Sequence, residues 1–338
     1  MKLVVELGAT LSREAARALL RDVLASEPGD SDLEIAALLT ALATRGETAD
    51  ELTGFAEAMR AVAIPIPLSD AERAALVDTC GTGGDGLGTF NISTGAALVA
   101  VAAGAKVAKH GNRAVTSKCG SADVLEALGV PVALTPERAV ECLRATGFMF
   151  LLAPALHPAM KRVMPIRRAL GFRTIFNLAG PLTNPAGAPA QVMGVYSEAK
   201  LIVVAEAMSR LGVEAGLAVH GRNGMDEIAL STSDAVLVNG RKISHIRYDP
   251  DMFGMQYASL ADLKGGETAE ENAAILEAIL RGQRGAKRDI VVINAAAALL
   301  MAGVEKLLPE CVQRAVEAID SGAAWSTVES LRAFARDN

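Results

Sequence analysis

From residue 76 onward the chain alternates short apolar runs with amphipathic stretches, and this rhythm narrows its possible folds more than any other feature. Runs at 106–108, 148–152, 191–196 and 216–220 read as strands. The stretches between them carry helix punctuation. Thr135-Pro136 opens one that stops at Gly147, and Ser197 opens another that stops at Gly212. Strands separated by helices build a mainly parallel sheet with helices on its faces, because each parallel return needs a crossover. Asn239-Gly240, between two short β-prone runs, predicts one antiparallel hairpin in the last third.

The first 68 residues lack this rhythm. Ser12 caps a predicted helix carrying Ala16, Leu19, Leu20, Val23 and Leu24 at helical spacing, and Pro28-Gly29 ends it. A second helix is expected over 32–44, with Gly46 as its stop, and Thr48 with Glu51 forms a capping box for a third. Pro65 and Pro67 then break the pattern. The expected architecture is α/β: a small N-terminal helical domain (1–68) plus a large α/β domain (69–338) with a mainly parallel central sheet flanked by helices. The apolar run 291–304 is too short for a membrane span and reads as a buried strand and helix.

Composition excludes several classes. A net charge of −6 argues against a surface built to hold nucleic acid. The four cysteines lie far apart and form no CxxC pair, so neither a zinc site nor a disulfide framework is indicated. The N-terminus turns polar too early for a signal peptide, and a cytoplasmic protein with reduced thiols is expected.

Three segments concentrate chemistry. Gly81, Gly83, Gly84 and Gly86 follow an apolar strand, where glycines let backbone N–H groups approach an anion. Asn91-Ile92-Ser93-Thr94 then leads into an apolar helix, whose free N–H groups favour negative charge. A glycine cluster alone marks only a turn, and this one lacks the Lys-Ser/Thr ending of a P-loop. The second segment, read as a basic loop after a strand, holds Lys109, His110, Gly111, Asn112, Arg113, Thr116, Ser117 and Lys118. A phosphate or diphosphate ligand suits those donors. The third is His220 to Glu227, where Asp226-Glu227 could ligate Mg²⁺ beside a diphosphate. His220 itself is expected to be a packed, hydrogen-bonded histidine.

Together these segments resemble the anthranilate phosphoribosyltransferases. The family pattern is a GTGGD loop, an NIST segment, a KHGNR loop with a Ser-rich stretch, a GPLTNP stretch and an acidic pair. Here Gly81 to Asp85, Asn91 to Thr94, Lys109 to Arg113, Gly180 to Pro185 and Asp226-Glu227 occur in that order, over nearly the whole length. The resemblance implies transfer of a 5-phosphoribosyl group from 5-phosphoribosyl 1-diphosphate to the amine of anthranilate, in tryptophan biosynthesis. It assigns Gly81, Gly84, Asp85, Thr89, Asn91, Ile92, Ser93 and Thr94 to the phosphoribosyl diphosphate. Lys109, His110, Gly111, Asn112, Arg113, Ala114, Val115, Thr116, Ser117 and Ser121 complete that cradle. Gly81, Asn112 and Arg167 would contact anthranilate, and Ser93, Asp226 and Glu227 would hold Mg²⁺, two ions per chain. Local sequence alone does not choose between Arg167 and Arg168. A homodimer through the helical part is implied, with residues near 165–181 rejoining that part. The chain departs from the family at Asn223, where Asp is common, and at Cys119, often Ser. With no fused amidotransferase in the chain, anthranilate is expected from elsewhere.

No catalytic acid, base or nucleophile is expected, because an aromatic amine is neutral near pH 7 and attacks unaided. Catalysis would rest on positioning and on stabilising the departing diphosphate. Two other readings compete: a pyrimidine nucleoside phosphorylase, whose glycine loop typically carries lysines absent here, and an inactive nucleic-acid-binding relative, which should be basic with a degraded acidic pair.

Overall fold

The structure, a computed structural model, describes residues 1–29, 31–114 and 118–336. The chain opens with four helices, α1 (Lys2–Leu7), α2 (Arg13–Ala25), α3 (Asp32–Arg45) and α4 (Ala49–Ala61). Ser12 caps α2 by accepting from Ala15 N–H, and Thr48 with Glu51 forms the capping box of α4. The short α1 was not expected, since six residues offer too little periodicity to read.

After α5 (Asp70–Ala74) come β1 (Leu76–Gly81), α6 (Ile92–Ala102), β2 (Lys106–Gly111), α7 (Ser121–Ala127), α8 (Pro136–Thr146) and β3 (Phe148–Leu152). Short helices α9 (Ala153–Leu156), α10 (Met164–Leu170) and α11 (Ile175–Ala179) lead to β4 (Ala190–Gly194), α12 (Leu201–Arg210) and β5 (Ala215–Gly221). The hairpin β6 (Ser233–Asn239) and β7 (Lys242–Tyr248) turns at Gly240, whose φ of 56° suits glycine. Four helices close the chain: α13 (Ala269–Leu280), α14 (Ala286–Met301), α15 (Leu308–Asp320) and α16 (Ala323–Arg336).

The seven strands order as β3-β2-β1-β4-β5-β6-β7. The first five are parallel and the last two antiparallel, as the strand–helix rhythm and the Asn-Gly turn predict. Strand neighbours alternate between two cores. Val192 and Leu217 face one with α6, α14, α15 and α16; Met193 and Ala218 face the other with α12 and the N-terminal helices. The helical bundle therefore shares a continuous core with one face of the sheet.

Two expectations need correcting. Residues 291–304 contain no strand; α14 runs through residue 301, and its Ala-rich face packs on α6. Lys109, His110 and Gly111 belong to β2 rather than to a loop, paired in register with Phe150, Leu151 and Leu152 of β3. A polar sequence hid these positions because their partners are buried backbone, which periodicity does not report.

Candidate active site

Chain order reverses between β1 and β4, which places a topological switch point where ligands bind beyond the strand ends. A cavity of about 940 Å³ opens there. Its wall includes Gly81, Gly84, Asp85, Thr89, Asn91, Ile92, Ser93, Thr94, Lys109, His110, Gly111, Asn112, Ser121, Arg167, Asp226 and Glu227, so most of the expected site converges. Arg113 and Ala114 are not part of that wall. The Arg113 guanidinium pairs with Glu126 and Asp123, and Ala114 N–H donates to Asp123. Val115, Thr116 and Ser117 lie outside the described residues.

The glycine loop begins where β1 ends. Gly83, Gly84, Gly86 and Gly88 all have φ near +70° (66°, 71°, 75° and 67°), a region that excludes most side chains. Thr82 N–H donates to Gly194 O (2.9 Å), and Thr82 Oγ1 accepts from Tyr196 N–H (3.0 Å), which ties the loop to the end of β4. Gly83 N–H donates to Asp226 Oδ2 at 2.6 Å. Helix α6 starts at Ile92, so Ser93 and Thr94 occupy its first turn. Ser93 N–H donates to Glu227 Oε1 (3.2 Å), and the buried Thr94 hydroxyl and Asn91 Oδ1 have no partner among the described residues. Unpartnered polar groups at a helix start are suited to a ligand.

Asp226 and Glu227 stand against this loop and this helix. Burial, then the charge of Asp85, raises the Asp226 carboxyl to about 6. Burial, then Asp226 itself, holds Glu227 well above the usual carboxylate range, with Lys109 opposing. Two desolvated carboxylates with one cation among them form an electron-rich site that a divalent cation would relieve. Among the described residues no group of three or more His, Cys, Asp or Glu could hold an ion unaided. A pair of carboxylates at the cavity fits Mg²⁺, which commonly takes one or two carboxylates and completes its shell with water and substrate phosphate.

Beneath the cavity lies a polar layer that sequence reasoning missed. Lys109 is buried, and its ammonium donates to Thr79 O (2.5 Å) and Ser93 Oγ (3.3 Å). Asp78, buried in β1, accepts from His110 N–H (3.2 Å) and Gln191 Nε2 (3.3 Å). Asn184 of the GPLTNP stretch donates to Ala108 O at 2.8 Å, and Gln191 reaches Pro181 O at 2.8 Å. This stretch is thus a brace for β2 and β4. The available signal was Asp78 itself, a charge inside an otherwise apolar strand. His110 brings no charge to the cradle, because burial, followed by His157, lowers its ring pKa to about 3. His220 is buried and bonds Val195 O at 2.7 Å through Nδ1.

The far wall belongs to the short helices. Arg167 is half-buried, and its guanidinium lies 5.2 Å from the centre of the Phe176 ring, which packs on Phe55 of α4. Arg168 also lines the cavity but is exposed. Burial lowers the Arg167 pKa, and no carboxylate lies within ion-pair distance among the described residues, so this cation faces the cavity without a counterion. The Asn223 departure has a structural role: its Oδ1 accepts from Met225 N–H (3.3 Å) and shapes the turn leading to Asp226. Residues 264–267 form a rim not read from sequence, with Gly265 N–H donating to Gly88 O (2.9 Å) and Glu267 paired to Lys118.

Known proteins match both parts of the chain. Residues 5–63 match the glycosyl transferase family helical bundle domain, and residues 73–325 match the glycosyl transferase family a/b domain. The chain is 51% identical over 326 residues to anthranilate phosphoribosyltransferase of Solibacter usitatus (strain Ellin6076), covering 96% of this chain and 95% of that one. It is 50% identical over 329 residues to that of Pelotomaculum thermopropionicum, covering 97% and 93%. Among solved structures, anthranilate phosphoribosyltransferase (TrpD) from Thermus thermophilus superposes with a TM-score of 0.92 at 46% identity, covering 99% and 98%. The Saccharomyces cerevisiae enzyme in complex with PRPP and Mg gives 0.87 at 27% identity, covering 97% and 94%. With this fold, this convergence of motifs and these relatives, the chain belongs to the anthranilate phosphoribosyltransferase family.

Proposed function

We propose that this protein joins anthranilate to the ribosyl C1 of 5-phosphoribosyl 1-diphosphate, giving N-(5-phosphoribosyl)anthranilate and diphosphate in tryptophan biosynthesis. The observation that carries the reading is a single cavity with anion donors and an acidic pair on one wall and an unpaired arginine on the other. The glycine loop, the start of α6 and the end of β2 hold the diphosphate and ribose. Arg167 holds the anthranilate carboxylate, and Asn112 serves both substrates. Ser93, Asp226 and Glu227 would hold Mg²⁺, two ions per chain, with phosphate oxygens completing the shell. When bound, Mg²⁺ neutralises charge that develops on the leaving diphosphate. The amine lone pair forms the bond to C1, the C1–O bond breaks, and its electron pair leaves with diphosphate. The amine then loses a proton to solvent or product. The neutral His110 and His157 rings, 5.2 Å apart beside the cavity, add no positive charge near the cationic sugar. Diphosphate release that requires both substrates tests the reaction; phosphate-dependent nucleoside cleavage instead would overturn it.

Arg167 offers a direct test of specificity. Arg167→Ala removes a charge-assisted pair worth about 1.5–3 kcal/mol, so anthranilate binding should weaken roughly 10- to 150-fold. Phosphoribosyl diphosphate should bind nearly as before in a separate titration. Lysine should rescue only partly, since it keeps the charge and loses the planar fork. No loss for anthranilate would remove Arg167 from the site.

A homodimer through the helical part is also proposed, and the cytoplasm as its place. Leu7 on α1 and Leu33 on α3 are 73% and 87% exposed, apolar surface that a second copy could cover. Glutamate at both positions is expected to give monomers by light scattering. An unchanged dimer would move the contact elsewhere. Among the described residues no helix is long and apolar enough to cross a membrane.

A further inference from the structure

Arg173 lies outside every motif considered above, in the short link between α10 and α11. Its guanidinium donates to the carbonyl oxygen of Gly84, in the middle of the glycine loop. The same group sits 4.4 Å from the centre of the Tyr196 ring, just beyond β4. Tyr196 is itself tied to the loop through its N–H bond to Thr82 Oγ1. Arg173 makes no ion pair among the described residues, and it is not part of the cavity wall that Gly83, Gly84, Asp85 and Gly86 form.

We infer that Arg173 is a positioning residue that sets the orientation of the glycine loop's anion donors and links that loop to the segment carrying Arg167. A peptide unit is planar and trans, so its C=O and N–H point in opposite directions. With the Gly84 carbonyl held by Arg173 outside the cavity, the Asp85 N–H is turned away from Arg173, to the side where a phosphate would lie. The loop's other bonds to the rest of the fold sit toward its ends, at Thr82, Gly83 and Gly88, whereas Gly84 and Gly86 have positive φ and no side chain to pack, so Arg173 is a tether at its middle. The Tyr196 ring, 4.4 Å away, attracts the guanidinium, and a lysine ammonium would keep the charge but lose the planar fork that reaches the Gly84 carbonyl. Arg173 follows Arg167 by six positions, so the tether reaches the glycine loop from the segment that carries Arg167. The inference rests on the function proposed above.

The test uses the full-length protein in three variants, Arg173→Ala, Arg173→Lys and Tyr196→Leu. Steady-state kinetics give KM for each substrate, and calorimetry reads binding of inorganic diphosphate with Mg²⁺. Arg173→Ala should raise KM for phosphoribosyl diphosphate and weaken diphosphate binding, each about tenfold, equivalent to ~1.4 kcal/mol. KM for anthranilate should stay within about twofold, and the melting temperature should stay near wild type. Lysine should restore part of the loss, and Tyr196→Leu should show a smaller loss in the same substrate. Unchanged diphosphate binding in Arg173→Ala overturns the inference. So do equal losses for both substrates with a lowered melting temperature, or full rescue by lysine with Tyr196→Leu silent. Diphosphate binding is read without turnover, so an inactive wild type would count against the reaction and leave the loop claim tested.

Discussion

Replacing Asp226 and Glu227 together by Asn and Gln is expected to lower turnover at least 100-fold, about 2.7 kcal/mol in activation free energy, with the fold intact. The shape of the turn survives, because Asn can still accept the Gly83 N–H and Gln can still accept that of Ser93. What is lost is the negative charge that would bind the cation. A second signature separates this cause from damage to the fold. Burial raises both carboxyl pKa values above their unfolded values, so the folded state holds more protons in the interval between them. Stability then falls as pH rises from the ordinary carboxylate range through about 6, and the ionised Asp226 carboxylate is a cost at pH 7 when no metal is present. In chelator at pH 7 the double variant should therefore melt no lower than wild type, and it should lose the wild type's gain in melting temperature toward pH 5. Retention of more than about a tenth of the activity, a loss under ~1.4 kcal/mol, would contradict the metal assignment.

Gly194→Ala is expected to cost as much from a residue that touches no substrate. Gly194 ends β4 opposite Gly81 of β1, and the backbone of Asp226 crosses directly over both. A Cβ at Gly194 would lie 1.5 Å from the Asp226 carbonyl oxygen and 2.3 Å from its carbonyl carbon. Those are backbone atoms, so the acidic turn must move away or the strand ends must part. A displacement of about 1 Å at a reacting centre can cost 100-fold, and kcat/KM should fall by at least that much. Overpacking should also lower stability by about 1–3 kcal/mol, so the variant remains folded for assay at moderate temperature. The diagnostic reading is the Mg²⁺ concentration for half-maximal activity, which should rise along with the loss. Wild-type kcat/KM with an unchanged Mg²⁺ requirement would show that the turn is not held by this contact.

What was legible in the sequence was whatever local chemistry determines. Ser12, Thr48 and Thr135 cap helices because their side chains accept from N–H groups three residues ahead. Asn239-Gly240 makes its hairpin because the turn needs positive φ. Glycines after a strand and Ser-Thr at a helix start likewise single out segments that line the cavity. Tertiary contacts were not legible. Lys109 reads as part of a basic loop, yet parallel pairing to β3 draws its ammonium under the cavity. Arg113 reads as a phosphate ligand, yet Glu126 and Asp123 on the following helix place its charge outside the wall. Gly194 carries no local signal, because its importance comes from Asp226, a residue distant in sequence. Arg167 and Arg168 look alike in sequence, and only the ring of Phe176 separates the half-buried one from the exposed one.

The most direct measurement of the central claim follows anthranilate fluorescence in a mixture of the protein, Mg²⁺, anthranilate and 5-phosphoribosyl 1-diphosphate. Fluorescence should fall steadily as the aromatic amine is consumed, and the fall should stop when either 5-phosphoribosyl 1-diphosphate or Mg²⁺ is withheld. An unchanging signal with every component present and the protein shown to be folded would contradict the account.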